Sequence, residues 1–231
     1  MPEYATFHLT RLGLSAMTPE LRKEASELQL HKRGIRINLQ LPVIESDEEV
    51  RLRSADELID RMMALWLVAS AAQSGQIEPY RSLVEIHHLQ PILSASEAAF
   101  LFASDNDASA LHRFQSCAEA LYFLAWCAGL VDELQVSVKP SNLKKIAHYF
   151  PTAFHDGSSL RAALRMRSKS KVLDWCDLLY RMHWAVRHAQ LTQKLSPPNV
   201  NADQVREWHR AVNWICCYEE MDDWDQVSIE T

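Results

Sequence analysis

Apolar residues recur along this chain at three- and four-residue spacing, the period of helices, broken by short punctuation. Thr18 before Pro19 supplies an N-cap with proline in the first turn, and Gly34 supplies a stop. Ser54 with Glu57 makes a capping box ahead of Leu58, and Gly75 closes that helix. Pro79 opens a short helix to about His88, and Ser94 or Ser96 starts another through Phe102. From Asp107 to Gly129, Leu111, Phe114, Ala118, Leu121, Ala125 and Ala128 keep helical spacing. Phe123, Trp126 and Cys127 widen that stripe almost all round, which predicts the central buried helix. Ser141 to Tyr149 reads as one short helix. Ser168 caps a long one to Gln193, with Val172, Cys176, Leu179, His183 and Val186 facing inward. Pro197 and Pro198 force a break. Asn201 with Gln204 then starts the last helix, where Val205, Trp208, Val212, Ile215 and Glu219 share a face.

The exception is Ile35 to Asp47, where Ile35, Ile37, Leu39 and Leu41 alternate before Pro42, the one good strand candidate. The expectation is an all-α, single-domain bundle of about eight helices. Residues 1–50 would form an N-terminal helix and an extended arm, with a short strand in it, packed on a helical body of residues 51–231. One echo crosses the chain: Arg51-Leu52-Arg53-Ser54 and Arg165-Met166-Arg167-Ser168 each open a long helix, and each is followed six residues after the serine by Asp60 or Asp174. A duplication of two helical halves, or one useful helix start employed twice, would produce it.

Composition narrows function mainly by exclusion. Only 5 of 231 residues are glycine, and neither GxGxxG nor GxxxxGK[ST] occurs, so there is no glycine-rich phosphate loop. The net charge of −6 is local: six acids lie in Glu219–Thr231, and without them 24 acids face 24 bases. The opposite pole is Arg161, Arg165, Arg167, Lys169 and Lys171, too small a footprint for a nucleic-acid backbone. Five cysteines without C-x-x-C spacing read as reduced, buried thiols of a cytoplasmic protein. The N-terminal stretch lacks the pattern of a signal peptide, and the longest uncharged run, Met62 to Ile77, is too short to span a membrane.

The chemistry-bearing positions are polar groups inside apolar helices. Glu119 is the one charged residue between Phe114 and Val131 and needs a partner, for which Arg113, Arg181, Arg187 and Arg210 are available. Asp177 and Arg181, four apart, can pair on one helix face. His183 lies on the inward stripe, and Arg210, Asn213 and Cys217 form a polar stripe on the last helix. Three readings stay open: an ion-pair network pinning three helices, arginines 181, 187 and 210 converging on an anionic ligand with Glu119 orienting them, or a Glu119–Asp177 pair doing acid–base work. A second anion candidate is Arg165, Arg167, Ser168 and Lys169, because positive side chains there meet a helix N-terminus. The acidic end, Asp222, Asp223 and Asp225, would dock on it. No histidine or cysteine spacing supports a metal site, and no cofactor is expected.

The segments RLRSADELIDRMMALWLVA, EALYFLAWCAGLVDE, RSKSKVLDWCDLLYRMHWAVRHAQL and VREWHRAVNWICCYEEMDDWDQVSIET carry a family likeness. The Y-R-x-H-W-A-V-R core at Tyr180 to Arg187 and the closing W-D-x-V-x-x-x-T are its most specific parts. Over about residues 50 to 231 the chain resembles the bacterial domain-of-unknown-function family 4272. The resemblance implies a mostly helical bacterial domain with no established activity. It picks out Arg53, Glu119, Trp126, Arg167, Asp177, Arg181, His183, Trp184, Arg187, Arg210, Asn213, Trp214, Trp224 and Asp225. The function expected is non-catalytic binding of a protein partner, a second copy of the chain included, or of a small anionic ligand, in an accessory or immunity-like role. Seven tryptophans would supply an interaction face. The rival is an enzyme using Glu119, Asp177, Arg181 and His183 in a pocket between the last long helices.

Overall fold

The computed structural model describes residues 17–231. The reading that the N-terminus carries no signal peptide, and the first part of the 1–50 unit, lie outside the described residues. Within them the chain forms eight α-helices and no strand: α1 (Pro19–Lys32), α2 (Ala55–Ser74), α3 (Glu78–Ile86), α4 (Ala95–Phe102), α5 (Ala108–Cys127), α6 (Ser158–Ala163), α7 (Lys169–Leu191) and α8 (Ala202–Ile215). Local signals set most of the boundaries. Thr18, Asp107 and Asn201 accept first-turn amides, and Ser54 and Ser94 form capping boxes with Glu57 and Glu97.

The helix count matches the sequence reading, but its membership differs. Residues 141–149 form two 3-10 turns instead of a helix, and α6 takes the eighth place. The last helix ends at Ile215 instead of Glu219, because Cys217, Glu219 and Glu220 take left-handed backbone conformations. No strand forms in the arm. A strand needs a neighbouring ladder, and here side chains take the arm's carbonyls: Lys23 Nζ donates to Leu39 and Leu41, and Arg181 Nη2 to Pro42. Ile35 and Leu41 are buried by this strapping.

The core runs as packed neighbours: α2 on α5, α5 on α8, α8 on α7 and α7 on α1. At its centre Phe123, Trp126, Trp175 and Trp208 meet with ring centroids 5.6 to 6.4 Å apart. The tryptophans therefore do not form the expected interaction face: none of the seven is exposed, and four are buried. They gain more by filling the core, where such ring pairs add about 0.5–1.5 kcal/mol beyond their burial.

The R-x-R-S echo becomes two matching clamps. At the start of α7, Arg167 places its backbone N–H on Cys127, its Nε on the Trp126 carbonyl 2.8 Å away and its guanidinium 4.7 Å from the Trp126 ring centroid. At the start of α2, Arg53 places its backbone N–H on Ile215, its Nε on the Trp214 carbonyl 2.8 Å away and its guanidinium 4.6 Å from the Trp214 centroid. Each arginine thus satisfies the unpaired carbonyls at the end of a helix from the other pair: α7 clamps α5, and α2 clamps α8.

The acidic end is pinned elsewhere than expected. Asp222 pairs with Arg53 at 3.0 Å, and Asp225 accepts from Ser94 Oγ, Ser96 Oγ and the Ser96 amide at the start of α4. Trp224 lies between Arg61 and Arg210, 5.0 and 5.3 Å from their guanidinium carbons.

Candidate functional site

Of the residues read as an ion-pair network, only Asp177 and Arg181 pair closely with each other, and other buried ion pairs lie around them. Asp177 and Arg181 form a buried bidentate pair at 2.9 and 2.7 Å, and Arg181 reaches Pro42 and, at 3.7 Å, Glu27 of α1. Arg22 bonds Asp47 and Asp174, each at 2.9 Å, and Arg61 pairs with Glu97. These contacts tie α1, the arm, α2, α4 and α7 together.

The structure does not bring arginines 181, 187 and 210 to one place. Arg181 is spent on α1 and the arm. Arg187 makes no ion pair or hydrogen bond among the described residues; its charge lies near His183. Glu119 reaches none of the four arginines offered to it. It accepts from the Ser141 amide at 2.8 Å, Ser141 Oγ at 2.6 Å and Gln204 Nε2 at 3.2 Å, so neutral donors replace the expected cation. Glu119 and Asp177 hold separate partners and do not form an acid–base pair.

The second anion candidate also fails on geometry. Arg165 donates to the carbonyls of Ala162 and Leu164, Arg167 to those of Trp126, Val131 and Asp132, and Lys169 to that of Val50. Ser168 sits at the N-cap without a side-chain bond. These donors close backbone ends, which leaves no convergent set for an anion or for the acidic tail.

His183 and Asn213 do meet, through a residue the sequence reading missed. His183 Nδ1 and His209 Nδ1 lie 2.9 Å apart, Asn213 Nδ2 is 3.4 Å from His209 Nε2, and Asn213 also donates to the Ser228 carbonyl. An Asn213 amide donating to His209 Nε2 leaves the proton of His209 on Nδ1, where it donates to His183 Nδ1. Burial pushes His183 down to about 4 and His209 to about 3, with nearby Arg187 and Arg206 adding to the first. Both rings are neutral at pH 7. His209 and Asn213 line a cleft of about 370 Å³ with Tyr180, Cys176 and the arm.

A different group of cations does converge. Ser109, His112 and Arg113 share one face of α5, and Arg206, Glu207 and Arg210 face them from α8; with Ile229 they line a cleft of about 280 Å³. Arg206 is committed to Asp203 at 2.8 Å, Glu207 at 3.1 Å and Ser116 at 3.3 Å. Burial opposes its charge, but Glu207 and Asp203 outweigh that and raise its pKa. Arg113 is half exposed, donates to Ser96 at 3.1 Å and lies 3.7 Å from Asp225. Arg210 is different. Its side chain is 18% exposed, its Nε is buried without a partner, and its nearest carboxylate oxygen, Glu207 Oε2, is 3.9 Å away. That oxygen is itself buried and unbonded. The lining holds three guanidinium groups against one carboxylate. Asp203 and Asp225 compensate Arg206 and Arg113, so Arg210 is the least compensated cation. Of the residues expected in a site, only Arg210 lies here. The spacing of Arg206 and Arg210 on one helix was the available signal for the others.

Among the described residues no group of three or more His, Cys, Asp or Glu is arranged to hold a metal ion, and no helix is long and apolar enough to cross a membrane. Compared with known protein families, residues 22–227 match the model of a family described as Domain of unknown function (DUF4272). No curated protein and no solved structure matches the chain.

Proposed function

We propose that this chain, which belongs to the DUF4272 family, is a non-catalytic binding module that takes a small anionic ligand in the cleft between α5 and α8. The observation that carries the reading is Arg210: a mostly buried guanidinium with no hydrogen bond among the described residues, opening on a cleft that Arg113 and Arg206 also line. A buried, under-bonded cation is costly. An oxyanion would accept from Arg210 and Arg113 together, in the forked geometry that guanidinium groups offer carboxylate and phosphate. The volume suits an anion of carboxylate or phosphate type with few further atoms. The Trp224 ring lies 5.3 Å from the Arg210 guanidinium carbon, a cation–π contact that favours the charge there.

An acidic end docking a basic protein partner draws less support, because Asp222 and Asp225 already pair within the chain. An enzyme built on Glu119, Asp177, Arg181 and His183 draws less still, since each of these is consumed by a structural partner.

Calorimetric titration with inorganic phosphate and with a small dicarboxylate tests the reading. At least one is expected to bind the wild-type chain, and Arg210→Gln to weaken it by about 10- to 100-fold, the worth of one or two charge-assisted bonds, about 1.5–3 kcal/mol. Thermal stability of the variant reports that it is folded. A wild-type chain that binds neither, or a folded variant that binds equally, overturns the proposal.

A further inference from the structure

The cleft between α5 and α8 holds a bare acceptor as well as its cations. Glu207, buried on α8, accepts from Arg206 Nε through Oε1 at 3.1 Å. Its other oxygen, Oε2, is buried without a hydrogen bond among the described residues, 3.9 Å from Arg210 Nη1. The α5 counterpart shows what such a position asks for. Glu119, as far before Trp126 as Glu207 is before Trp214, has donors on both oxygens: the Ser141 amide on one, Ser141 Oγ and Gln204 Nε2 on the other. At Glu207 Oε2 no donor of the chain replaces the water lost on burial. A guest bringing negative charge alone would set its oxygens beside that carboxylate and be repelled by it. The charges around the cleft also balance in pairs: Arg113 with Asp225, Arg206 with Asp203, and Arg210 with Glu207. A guest of no net charge preserves that balance.

We infer that the cleft takes a zwitterion of the α-amino acid class, which rests on the anionic-ligand reading above and narrows it. The carboxylate of the guest accepts from Arg210 and Arg113, and its ammonium donates to Glu207 Oε2. Spacing sets the class. Arg210 Nη1 and Glu207 Oε2 are only 3.9 Å apart, so the ammonium has to sit on the carbon next to the carboxylate. The cleft, about 280 Å³, leaves room for a short side chain bordered by Ser109 and Ile229. Both buried polar groups that the chain leaves bare are then bonded by one guest, each by the charge it lacks.

Calorimetric titration of the full-length chain with L-aspartate and with succinate, the same skeleton without the ammonium, tests this. L-Aspartate is expected to bind at least about 10-fold tighter. Succinate carries the greater negative charge, so plain attraction to the arginines predicts the reverse order. Glu207→Gln keeps the shape and removes the charge, and should shrink the preference to about 3-fold or less, with thermal melting as the check on folding. A wild-type chain that binds succinate or inorganic phosphate, but takes L-aspartate no tighter than succinate, overturns this inference and leaves the anionic-ligand reading standing. One that binds none of the three overturns both. A folded Glu207→Gln chain that keeps the full preference overturns the inference as well; if that variant does not fold, the wild-type comparison decides by itself.

Discussion

The ends of α5 and α8 are built on one plan and finished differently. Arg167 closes the α5 end with bonds to carbonyls alone, and Gly129 turns the chain. Arg53 closes the α8 end with the Trp214 and Met221 carbonyls but adds Glu57 and Asp222, and Cys217 turns the chain. The contrast continues up each helix. Glu119 and Glu207 stand equally far before their tryptophans and are both buried. Glu119 is fully bonded by Ser141 and Gln204, while Glu207 keeps an unbonded oxygen beside Arg210. Leu121 on α5 has His209 as its counterpart on α8, and Ala125 has Asn213. The same clamp therefore supports one helix whose buried carboxylate is fully bonded and one whose buried carboxylate and histidine border clefts. Unsatisfied or strained groups collect on the second, where binding would use them.

Three measurements press on that contrast, the largest effect per residue first. Arg53→Ala removes a buried cation with two carbonyl and two carboxylate partners and is expected to cost about 3–5 kcal/mol in urea denaturation. Arg167→Ala, at the more exposed clamp with carbonyl partners only, should cost about 1–3 kcal/mol. Equal losses would mean that the two ends are energetically interchangeable.

Acid should act on the α7–α8 side. Above pH 6.5 the two histidines are neutral folded or unfolded and stability is unaffected by them. Below it the unfolded chain takes up protons that His183, at about 4, and His209, at about 3, refuse, so stability falls as pH drops toward 4. A loss of about 2.5–3 kcal/mol for each of the two rings between pH 6.5 and 4 is expected from denaturation midpoints. His209→Leu, which copies the α5 counterpart Leu121, should flatten that slope. An unchanged slope would place the acid sensitivity elsewhere.

Exchanging the turn residues gives the smallest effects, of opposite sign. Gly129→Ala forces a Cβ into the left-handed turn and against the Arg165 carbonyl oxygen, for a loss of about 2–3 kcal/mol. Cys217→Gly relieves the same turn and should gain about 1 kcal/mol. A loss on Cys217→Gly would show that the thiol packs for stability instead.

The sequence by itself determined what is decided within one helical turn. The caps at Thr18, Ser54, Asp107 and Asn201, the Gly34 and Gly75 stops and the Asp177–Arg181 pair all join residues two to four apart, so their geometry follows from helix pitch. The all-α class followed from the same periodicity, and the R-x-R-S echo was visible as two helix starts. Only the tertiary structure decided what those arginines hold. Arg53 meets Trp214 and Arg167 meets Trp126 across long stretches of chain, and Arg22 finds Asp174 only when α1 packs on α7. The partner of a buried charge is whichever group packing brings within about 3 Å, and pairwise spacing along the chain carries no information about that distance. For that reason Glu119 could be read as needing a partner but not as taking Ser141. For the same reason the acidic end could be read as a charge pole, but not as the segment that locks α2 and α4 to the end of α8.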